Sequence, residues 1–277
     1  MISVGATSLG FGAKPLPRLL EELRELGGEC VELNSRPGLH DGLVLEGRTI
    51  SSVQAWANDS GIAIGSVGGY SDFAQVDDDA LARELTRLRG ACELASELEV
   101  GIVRAFVGEP KTGLDLAEAR SRAVDAFGLA AVFAAELGVT LAIENHGRLL
   151  NDGRALASLV EEIDSPHVKL TLDSGNFSWA GRDLDQARDD FEAVLPHAVS
   201  VHIKDGVWTD EGFEFVPAGC GSLPIALLLD DLSTRSWVGP IYSEYEGAGD
   251  FLGGTRESVG FLRSALNRCT RTITRAK

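Results

Sequence analysis

Eight short strand-like runs alternate with eight helix-like segments along this chain. The strand-like runs are rich in small or branched apolar residues, and the segments between them carry leucine or alanine at the spacing of an amphipathic helix. The strand-like stretches cover residues 2–8, 30–34, 62–67, 100–107, 139–147, 168–176, 198–206 and 239–247, and the helix-like segments cover 15–26, 49–58, 77–97, 116–137, 154–163, 184–195, 225–232 and 255–268. This alternation predicts a parallel sheet, because parallel neighbours need helical crossovers.

Eight strand–helix units in 277 residues fit a (β/α)8 TIM barrel, and we expect one such domain over residues 1–277. The competing architecture is a doubly wound open sheet. Its dinucleotide-binding fingerprint, G-x-G-x-x-G after the first strand, is not met, because SLGFGAKP supplies only the first two glycines. The sequence therefore favours the closed barrel.

Four of the later strands end in a polar side chain that suits a metal ion. Apolar residues lead to Glu144 in VTLAIENHG, Asp173 in VKLTLDSGN, His202 in AVSVHIKDG and Glu244 in GPIYSEYEG. A carboxylate at the end of a buried strand is costly unless a cation or hydrogen bonds compensate it. These groups converge if the barrel closes, whereas solvated strand-end polar groups are the alternative interpretation. Glu246 comes two residues after Glu244, so its side chain would lie on the same face of the strand, and it is the alternative fourth ligand.

The residue types of this set indicate which metal it suits. Carboxylates and one imidazole suit Mn²⁺, Mg²⁺, Co²⁺, Zn²⁺ or Fe²⁺, and the absence of thiolates disfavours a soft-metal site. The four cysteines form no C-x-x-C pair, so a structural zinc knuckle is not expected. We expect one divalent ion, with Mn²⁺ first.

The charge of the chain disfavours several classes of partner. Its 42 acidic and 25 basic residues give a formal net charge of −17, which repels nucleic acid and anionic membranes. The first residues, MISVGATSLG, lack the basic and apolar regions of a signal peptide, and no apolar run approaches the roughly 18 residues of a membrane span. We expect a cytoplasmic protein with free thiols and no nucleic-acid or membrane partner.

Five short motifs resemble those of the sugar phosphate isomerase/epimerase family, in the xylose isomerase-like TIM-barrel superfamily. They are IEN at 143–145, DSGN at 173–176, HIKD at 202–205, SEYEG at 243–247 and the G-x-G turn of PAGCGSLP at 219–221. The resemblance implies a barrel that acts on a small carbohydrate, and a homo-oligomer is compatible with it. It also implies that Glu144, Asp173, His202 and Glu244 bind the metal, with Glu144 and Glu244 as the acid/base pair.

Two positions depart from that family pattern. Asn176 stands where many epimerases have a histidine, and Trp208 stands where ketose epimerases often have an arginine. Both are candidate substrate-binding residues. The departures put a simple free-ketose 3-epimerase in doubt and keep open a lyase, a dehydratase or decarboxylase that acts on an oxidised sugar or keto-acid. A non-catalytic sugar-binding barrel is a further alternative. A DNA-repair endonuclease of this superfamily is disfavoured, because it needs a histidine-rich zinc cluster and this chain has five histidines.

Four other residues are candidates for the site. Strand alternation puts Lys204 on the same side as the metal histidine, where it is either a catalytic cation for a substrate oxygen or the partner of a carboxylate. His146 follows the fifth strand and either binds substrate or is an exposed loop residue. Arg104 lies on the fourth strand and either lines the pocket or pairs with Glu32. Trp179 is a loop aromatic that can stack on a sugar ring.

Overall fold

The strand-like runs form strands in the computed structural model, which describes residues 2–12, 14–35 and 50–275, with side chains up to residue 268. The strands in these ranges are β1 (Ile2–Thr7), β2 (Cys30–Asn34), β3 (Ala63–Gly68), β4 (Ile102–Phe106), β5 (Thr140–Glu144), β6 (Val168–Asp173), β7 (Ala198–Ile203), β8 (Asp205–Thr209), β9 (Gly212–Val216) and β10 (Gly239–Ser243). The helices are α1 (Leu16–Glu25), α2 (Ile50–Ser60), α3 (Asp78–Glu97), α4 (Leu116–Leu137), α5 (Gly153–Ile163), α6 (Asn176–Trp179), α7 (Leu184–Val194), α8 (Ile225–Thr234) and α9 (Phe251–Arg275).

Eight of the strands close into a parallel barrel in the order β1-β10-β7-β6-β5-β4-β3-β2. β1 pairs in parallel with both β2 and β10, so the ring has no open edge. The predicted single-domain (β/α)8 barrel is confirmed, and the open sheet is excluded. None of the helices in the described ranges combines the length and apolar character that a bilayer crossing requires.

Alternate residues of the barrel strands serve two different surfaces. On β5, Leu141 and Ile143 are fully buried and belong to the hydrophobic core, whereas Glu144 joins a polar cluster inside the barrel. On β7, Val201 belongs to the core and His202 to the polar cluster. Because side chains alternate across a strand, one set packs against the helices and the other fills the barrel interior. The interior set is therefore free to be polar.

Aspartate side chains fix the start of several helices. Asp77, Asp115, Asp152 and Asp183 precede α3, α4, α5 and α7, and each side chain accepts a hydrogen bond from a backbone N–H of the first turn. Such a cap contributes about 1 kcal/mol, and a negative charge suits the positive end of the helix dipole. Gly138 ends α4 with a φ of 71°, a conformation that glycine adopts without strain. Part of the chain's acidity is thus structural.

Two elements were not expected from the sequence, and one is longer than expected. β8 and β9 pair antiparallel as a hairpin between β7 and α8, and α6 is a single turn directly after β6. The last helix, expected over 255–268, extends over Phe251–Arg275. The first residue of the helix expected over 49–58 lies outside the described residues. The other expected helices form close to their expected positions.

Candidate metal centre

The four strand-end side chains meet at one end of the barrel. Each of Glu144, Asp173, His202 and Glu244 offers one donor atom, and these atoms all lie within 4.8 Å of one another. All four residues are buried. In β/α barrels, functional groups lie at the carboxyl ends of the strands, and this cluster lies there. Three carboxylates and an imidazole form a donor set that can bind a divalent metal ion.

The segment D-S-G-N after β6 holds one oxygen of Asp173 and leaves the other without a hydrogen bond. Asp173 Oδ1 accepts hydrogen bonds of 2.8 Å from the backbone N–H groups of Gly175 and Asn176. Asp173 Oδ2 is buried and has no hydrogen-bond partner among the described residues. A side chain at position 175 would meet Lys204 Cβ at 2.5 Å, so glycine lets this turn approach the neighbouring strand. The turn therefore orients a carboxylate with one oxygen available for a cation.

Asn145, the last residue of the I-E-N motif, joins the ends of β5 and β6. Its side-chain Nδ2 donates to the Asp173 carbonyl at 2.9 Å, and its Oδ1 accepts from the Asp173 N–H at 2.7 Å. These two bonds imitate one step of a β-ladder beyond the end of β5. They hold the first ligand strand against the second. We made no prediction for Asn145 from the sequence, although the motif that contains it was visible there.

An ion-pair bridge joins Glu32, Arg104 and Glu144 across the barrel interior. Arg104 Nε lies 2.6 Å from Glu32 Oε1, and Nη1 lies 2.9 Å from Glu144 Oε2. Burial would raise the pKa of Glu32, but Arg104 and His202 outweigh burial and lower it to about 2. Arg104 thus both pairs with Glu32 and lines the cavity. The two interpretations that the sequence left open for Arg104 are therefore both correct.

His202 is held between two carboxylates through its two ring nitrogens. Nδ1 lies 3.1 Å from Glu244 Oε2 and 3.9 Å from Glu144 Oε2, so it faces the ligand cluster. Nε2 lies 3.1 Å from Glu32 Oε2. A histidine that binds metal through one nitrogen commonly donates from the other to a carboxylate, which fixes the ring. Glu32 is placed to accept that hydrogen bond. The sequence indicated Glu32 either as a pocket residue or as the partner of Arg104, and not as a partner of the histidine.

Lys204 and Asn176 lie beside the ligands and are buried. Lys204 Nζ is 3.1 Å from Glu244 Oε2, 3.7 Å from Asp173 Oδ2 and 3.3 Å from Asn176 Oδ1. Asn176 Nδ2 donates to Glu144 Oε1 at 3.0 Å. Lys204 is therefore the partner of carboxylates and also part of the cavity wall. Asn176 connects Lys204 to Glu144 but is not among the wall residues.

The charged groups of the cluster shift one another's pKa values. Burial raises the pKa of the Asp173 carboxyl to about 7, and the Glu144 and Glu244 carboxylates add to the shift while Lys204 opposes it. Burial would also raise the pKa of Glu244, but Lys204 and His202 outweigh burial and hold it well below its usual range. Burial would lower the pKa of His202, yet the carboxylates at its ring nitrogens raise it well above its usual range. The protein's own cations thus compensate Glu244 better than Asp173.

A cavity of about 340 Å³ opens above the cluster, a size that suits a small ligand. Its walls include Arg104, Glu144, His146, Lys204 and Glu244. Other wall residues are Phe106 at the end of β4 and residues that follow β1, β3, β4 and β10: Leu9, Tyr70, Ser71, Asp72, Gly108, Glu109 and Glu246. The cavity therefore places proposed metal ligands and further polar groups around one small space.

The candidate substrate-binding residues divide into two groups. His146 lines the cavity, with its ring centroid 4.3 Å from that of Phe106. Trp179 ends α6, is 40% exposed, and has the Arg148 guanidinium 5.6 Å from its ring. Trp208 lies on β8, is 50% exposed and contacts a phenylalanine of the same hairpin. Neither tryptophan belongs to the cavity wall in the described part of the chain, so their contact with a sugar stays a prediction.

The model of the xylose isomerase-like TIM barrel family matches residues 20–265 of this sequence. The chain belongs to that family. The match covers most of the barrel and all four proposed metal ligands. Searches of curated proteins gave no match.

Solved structures with the same fold include other xylose isomerase-like barrels. A xylose isomerase-like TIM barrel protein from Mycobacterium smegmatis in complex with magnesium is 18% identical over 96% of this chain and 97% of that one, with a TM-score of 0.78. A D-tagatose 3-epimerase-like protein is 19% identical over 98% and 99%, with a TM-score of 0.81. L-ribulose 3-epimerase is 19% identical over 100% and 98%, with a TM-score of 0.80. At these identities the likeness shows the fold.

Asp205, the last residue of H-I-K-D, has a structural role in this xylose isomerase-like barrel. It accepts hydrogen bonds from the backbone N–H groups of Gly206, Gly219, Gly221 and Leu223. It thereby ties the G-x-G turn to the end of β7. These bonds give a physical reason why H-I-K-D and the G-x-G turn occur together in this sequence.

Proposed function

We propose that this protein is a divalent-metal-dependent isomerase or epimerase of a small sugar or sugar derivative. The observation that carries the proposal is the convergence of Glu144, Asp173, His202 and Glu244 beside a cavity whose wall includes Glu144, Glu244 and Lys204. The structural likeness to sugar epimerases supports the same reaction class.

The residues of the cluster fit a metal ion. The donors are carboxylate oxygens and one imidazole nitrogen, and Asp173 Oδ2 is a buried oxygen without a hydrogen bond in the described part of the chain. Glu144, Asp173, Glu244 and Nδ1 of His202 would bind the ion. Mn²⁺ is our first choice, with Mg²⁺, Co²⁺, Zn²⁺ and Fe²⁺ as alternatives. A bound divalent ion would polarise a carbonyl and its neighbouring hydroxyl and stabilise an enediolate.

Glu144 and Glu244 are the proposed acid/base pair. Arg104 and Asn176 hold the two oxygens of Glu144, and His202 and Lys204 hold one oxygen of Glu244. One carboxylate removes the proton beside the carbonyl and the other returns it. Return to the neighbouring carbon gives isomerisation, and return to the opposite face gives epimerisation. Lys204 is the proposed cation for a substrate oxygen, and His146, Asn176 and Arg104 are proposed to contact or orient the substrate.

The charge of the cavity favours a neutral sugar over the oxidised sugar or keto-acid of the lyase alternative. Five carboxylates line the described wall: Asp72, Glu109, Glu144, Glu244 and Glu246. The wall's Arg104 and Lys204 are both already paired with carboxylates. An anionic substrate would therefore meet an acidic wall whose cations are already engaged. The cytoplasmic location, a homo-oligomer and the exclusion of nucleic-acid and membrane partners stay predictions from the sequence.

Solvent-deuterium exchange tests the proposal. Mn²⁺-loaded protein is incubated in D2O with ketoses, aldoses, keto-acids and their phosphates, and each mixture is followed by NMR. We expect deuterium at a carbon beside the carbonyl of a neutral sugar, together with an isomer or epimer. Elimination or decarboxylation products would instead identify the lyase, and retained metal without conversion of any compound would support a binding barrel.

Variants assign the acid/base pair. Glu144→Gln and Glu244→Gln should each abolish turnover, because each loses a metal ligand and a proton acceptor. Glu136→Gln is the matched control, because Glu136 is an exposed residue of α4. Wild-type turnover in either site variant would contradict the role assigned to that residue.

A further inference from the structure

Lys204 is enclosed by oxygen atoms that also belong to the proposed metal centre. The residue is 3% exposed, and its Nζ lies 3.1 Å from Glu244 Oε2 and 3.7 Å from Asp173 Oδ2. Its remaining partners are Asn176 Oδ1 at 3.3 Å and Glu246 Oε2 at 3.2 Å. Two of these four oxygens come from ligands and one comes from a carboxylate outside the ligand set.

The contacts of these two ligand oxygens indicate that they would also hold the metal ion. Glu244 Oε2 is the oxygen that lies 3.1 Å from His202 Nδ1, the nitrogen on the cluster side of the ring. Asp173 Oδ2 is the oxygen that accepts no hydrogen bond, while its partner Oδ1 is held by the turn. An ammonium and a divalent cation therefore depend on the same two oxygens.

We propose that Lys204 and the metal ion compete for Asp173 and Glu244, and that Lys204 keeps only its ion pair with Glu246 when the metal binds. This inference rests on the metal centre of the proposed function. Two cations a few ångströms apart repel strongly in a buried site, because the Coulomb energy rises as the dielectric constant falls. The lysine side chain is flexible and keeps one point charge, so it can leave one carboxylate partner and stay paired with another.

Glu246 is suited to hold the displaced ammonium. Its side chain is 40% exposed, lines the cavity and lies outside the ligand cluster. A Lys204–Glu246 pair would stand at the cavity wall, where the ammonium reaches a substrate oxygen. Lys204 would thus compensate the charge of the ligand carboxylates before the metal binds and contact a substrate oxygen afterwards.

A different role for Lys204 makes the opposite prediction. If Lys204 holds Asp173 and Glu244 in place for the metal, its removal weakens metal binding. If Lys204 competes with the metal, its removal strengthens metal binding, because the two buried carboxylates of Asp173 and Glu244 then lack their nearest mobile counter-charge. The sign of the change in metal affinity therefore separates competition from support.

The experiment is a titration of metal-free protein with Mn²⁺, with the dissociation constant measured by calorimetry or against a fluorescent chelator. We expect Lys204→Met to lower the dissociation constant at least tenfold, about 1.4 kcal/mol. Lys204→Gln, which keeps polar atoms in the buried position, should change it in the same direction. An unchanged or higher dissociation constant in these variants would overturn the proposal.

Glu246 provides the second arm of the test. Glu246→Gln should weaken Mn²⁺ binding, because the displaced ammonium loses its remaining carboxylate partner and the site loses a nearby charge. Glu109→Gln is the control for charge alone, since Glu109 lines the same cavity, is 52% exposed and lies 3.9 Å from His146 Nδ1 rather than beside Lys204. The Glu246 effect should exceed the Glu109 effect, and it should shrink in the Lys204→Met background. Equal effects in both backgrounds would show that Glu246 does not act through Lys204 and would contradict the proposal.

The wild-type titration separates this inference from the proposed function. Wild-type protein that binds no divalent metal would refute the metal centre itself. Wild-type protein that binds Mn²⁺ with an affinity unaffected by Lys204→Met would leave the metal centre standing and refute only the competition. Thermal unfolding without metal gives an independent readout. Lys204→Met should unfold at a lower temperature than wild type, and Mn²⁺ should raise its melting temperature by more.

Discussion

Replacing Arg104 with methionine should destabilise the metal-free protein strongly. Arg104 is 2% exposed and joins two carboxylates, Glu32 and Glu144, through separate guanidinium nitrogens at 2.6 and 2.9 Å. Methionine keeps most of the side-chain volume and removes the charge, so both carboxylates lose a buried partner. Removing one partner of a buried ion pair costs about 3–5 kcal/mol.

The size of the effect follows from the length of the chain. An unfolding entropy of about 2 cal/mol/K per residue gives about 0.6 kcal/mol/K for 277 residues. A loss of about 3–5 kcal/mol then lowers the melting temperature by about 5–8 °C. The measurement is calorimetric or circular-dichroism unfolding in a chelator, so that no metal compensates Glu144. Arg188→Met is the control, because Arg188 forms an exposed pair with Glu192 at 3.7 Å and should lose at most about 1 kcal/mol.

A second variant tests whether the lost charge is the cause. Glu32→Gln in the Arg104→Met background removes one of the two carboxylates left without a partner, so the double variant should be more stable than Arg104→Met alone. A loss below about 1 kcal/mol in Arg104→Met would refute the argument, because it is far less than a broken buried pair costs. A double variant no more stable than the single one would show that packing rather than charge explains the loss.

Three further predictions concern other parts of the molecule. Asn145→Ala should lower the free energy of unfolding, measured in urea, by about 2–4 kcal/mol, because it leaves the buried backbone N–H and carbonyl of Asp173 without partners. A loss under about 0.5 kcal/mol would contradict this role of Asn145. In a Cys269→Ser background at pH 8, a thiol reagent should label the exposed Cys220 and spare Cys30 and Cys92. Burial raises the pKa of both spared thiols to about 12, and the thiolate is the reactive form. Fast labelling of more than one thiol in the folded protein would contradict this prediction. Calorimetry should show that metal-loaded protein binds a neutral polyol such as xylitol more tightly than it binds xylonate, because the cavity wall is acidic. Tighter binding of xylonate would contradict the preference for a neutral sugar and favour the lyase.

The sequence predicted the barrel and the meeting of the four ligands for one physical reason. All strands of a parallel barrel point the same way, so groups at their carboxyl ends must come together, whatever the detailed packing. The apolar-to-polar change at Glu144, Asp173, His202 and Glu244 was therefore sufficient to predict a cluster. Their identification as ligands stays a prediction that metal titration tests.

Other features depended on information that the local sequence does not contain. The choice for Arg104 between wall and ion pair was left open, because its partners Glu32 and Glu144 come from strands whose relative stagger is set only when the barrel closes. The β8–β9 hairpin carries alternating aromatic residues, Phe213 and Phe215, but its strands have only five residues each and pair with no barrel strand, so the strand–helix alternation does not indicate them. α6 is one turn long, too short for a helical period to be visible.

The β8–β9 hairpin gives the barrel a place where its chain can change length. Its described strands pair with each other and with no barrel strand, and its turn lies between Thr209 and Gly212 at exposed residues. Insertions are tolerated best at exposed turns of this kind. A fluorophore or a short peptide grafted there would have an attachment point that carries none of the barrel's hydrogen bonds. The same independence would let natural or engineered variants change the length of this turn while the barrel and its ligand cluster stay as they are.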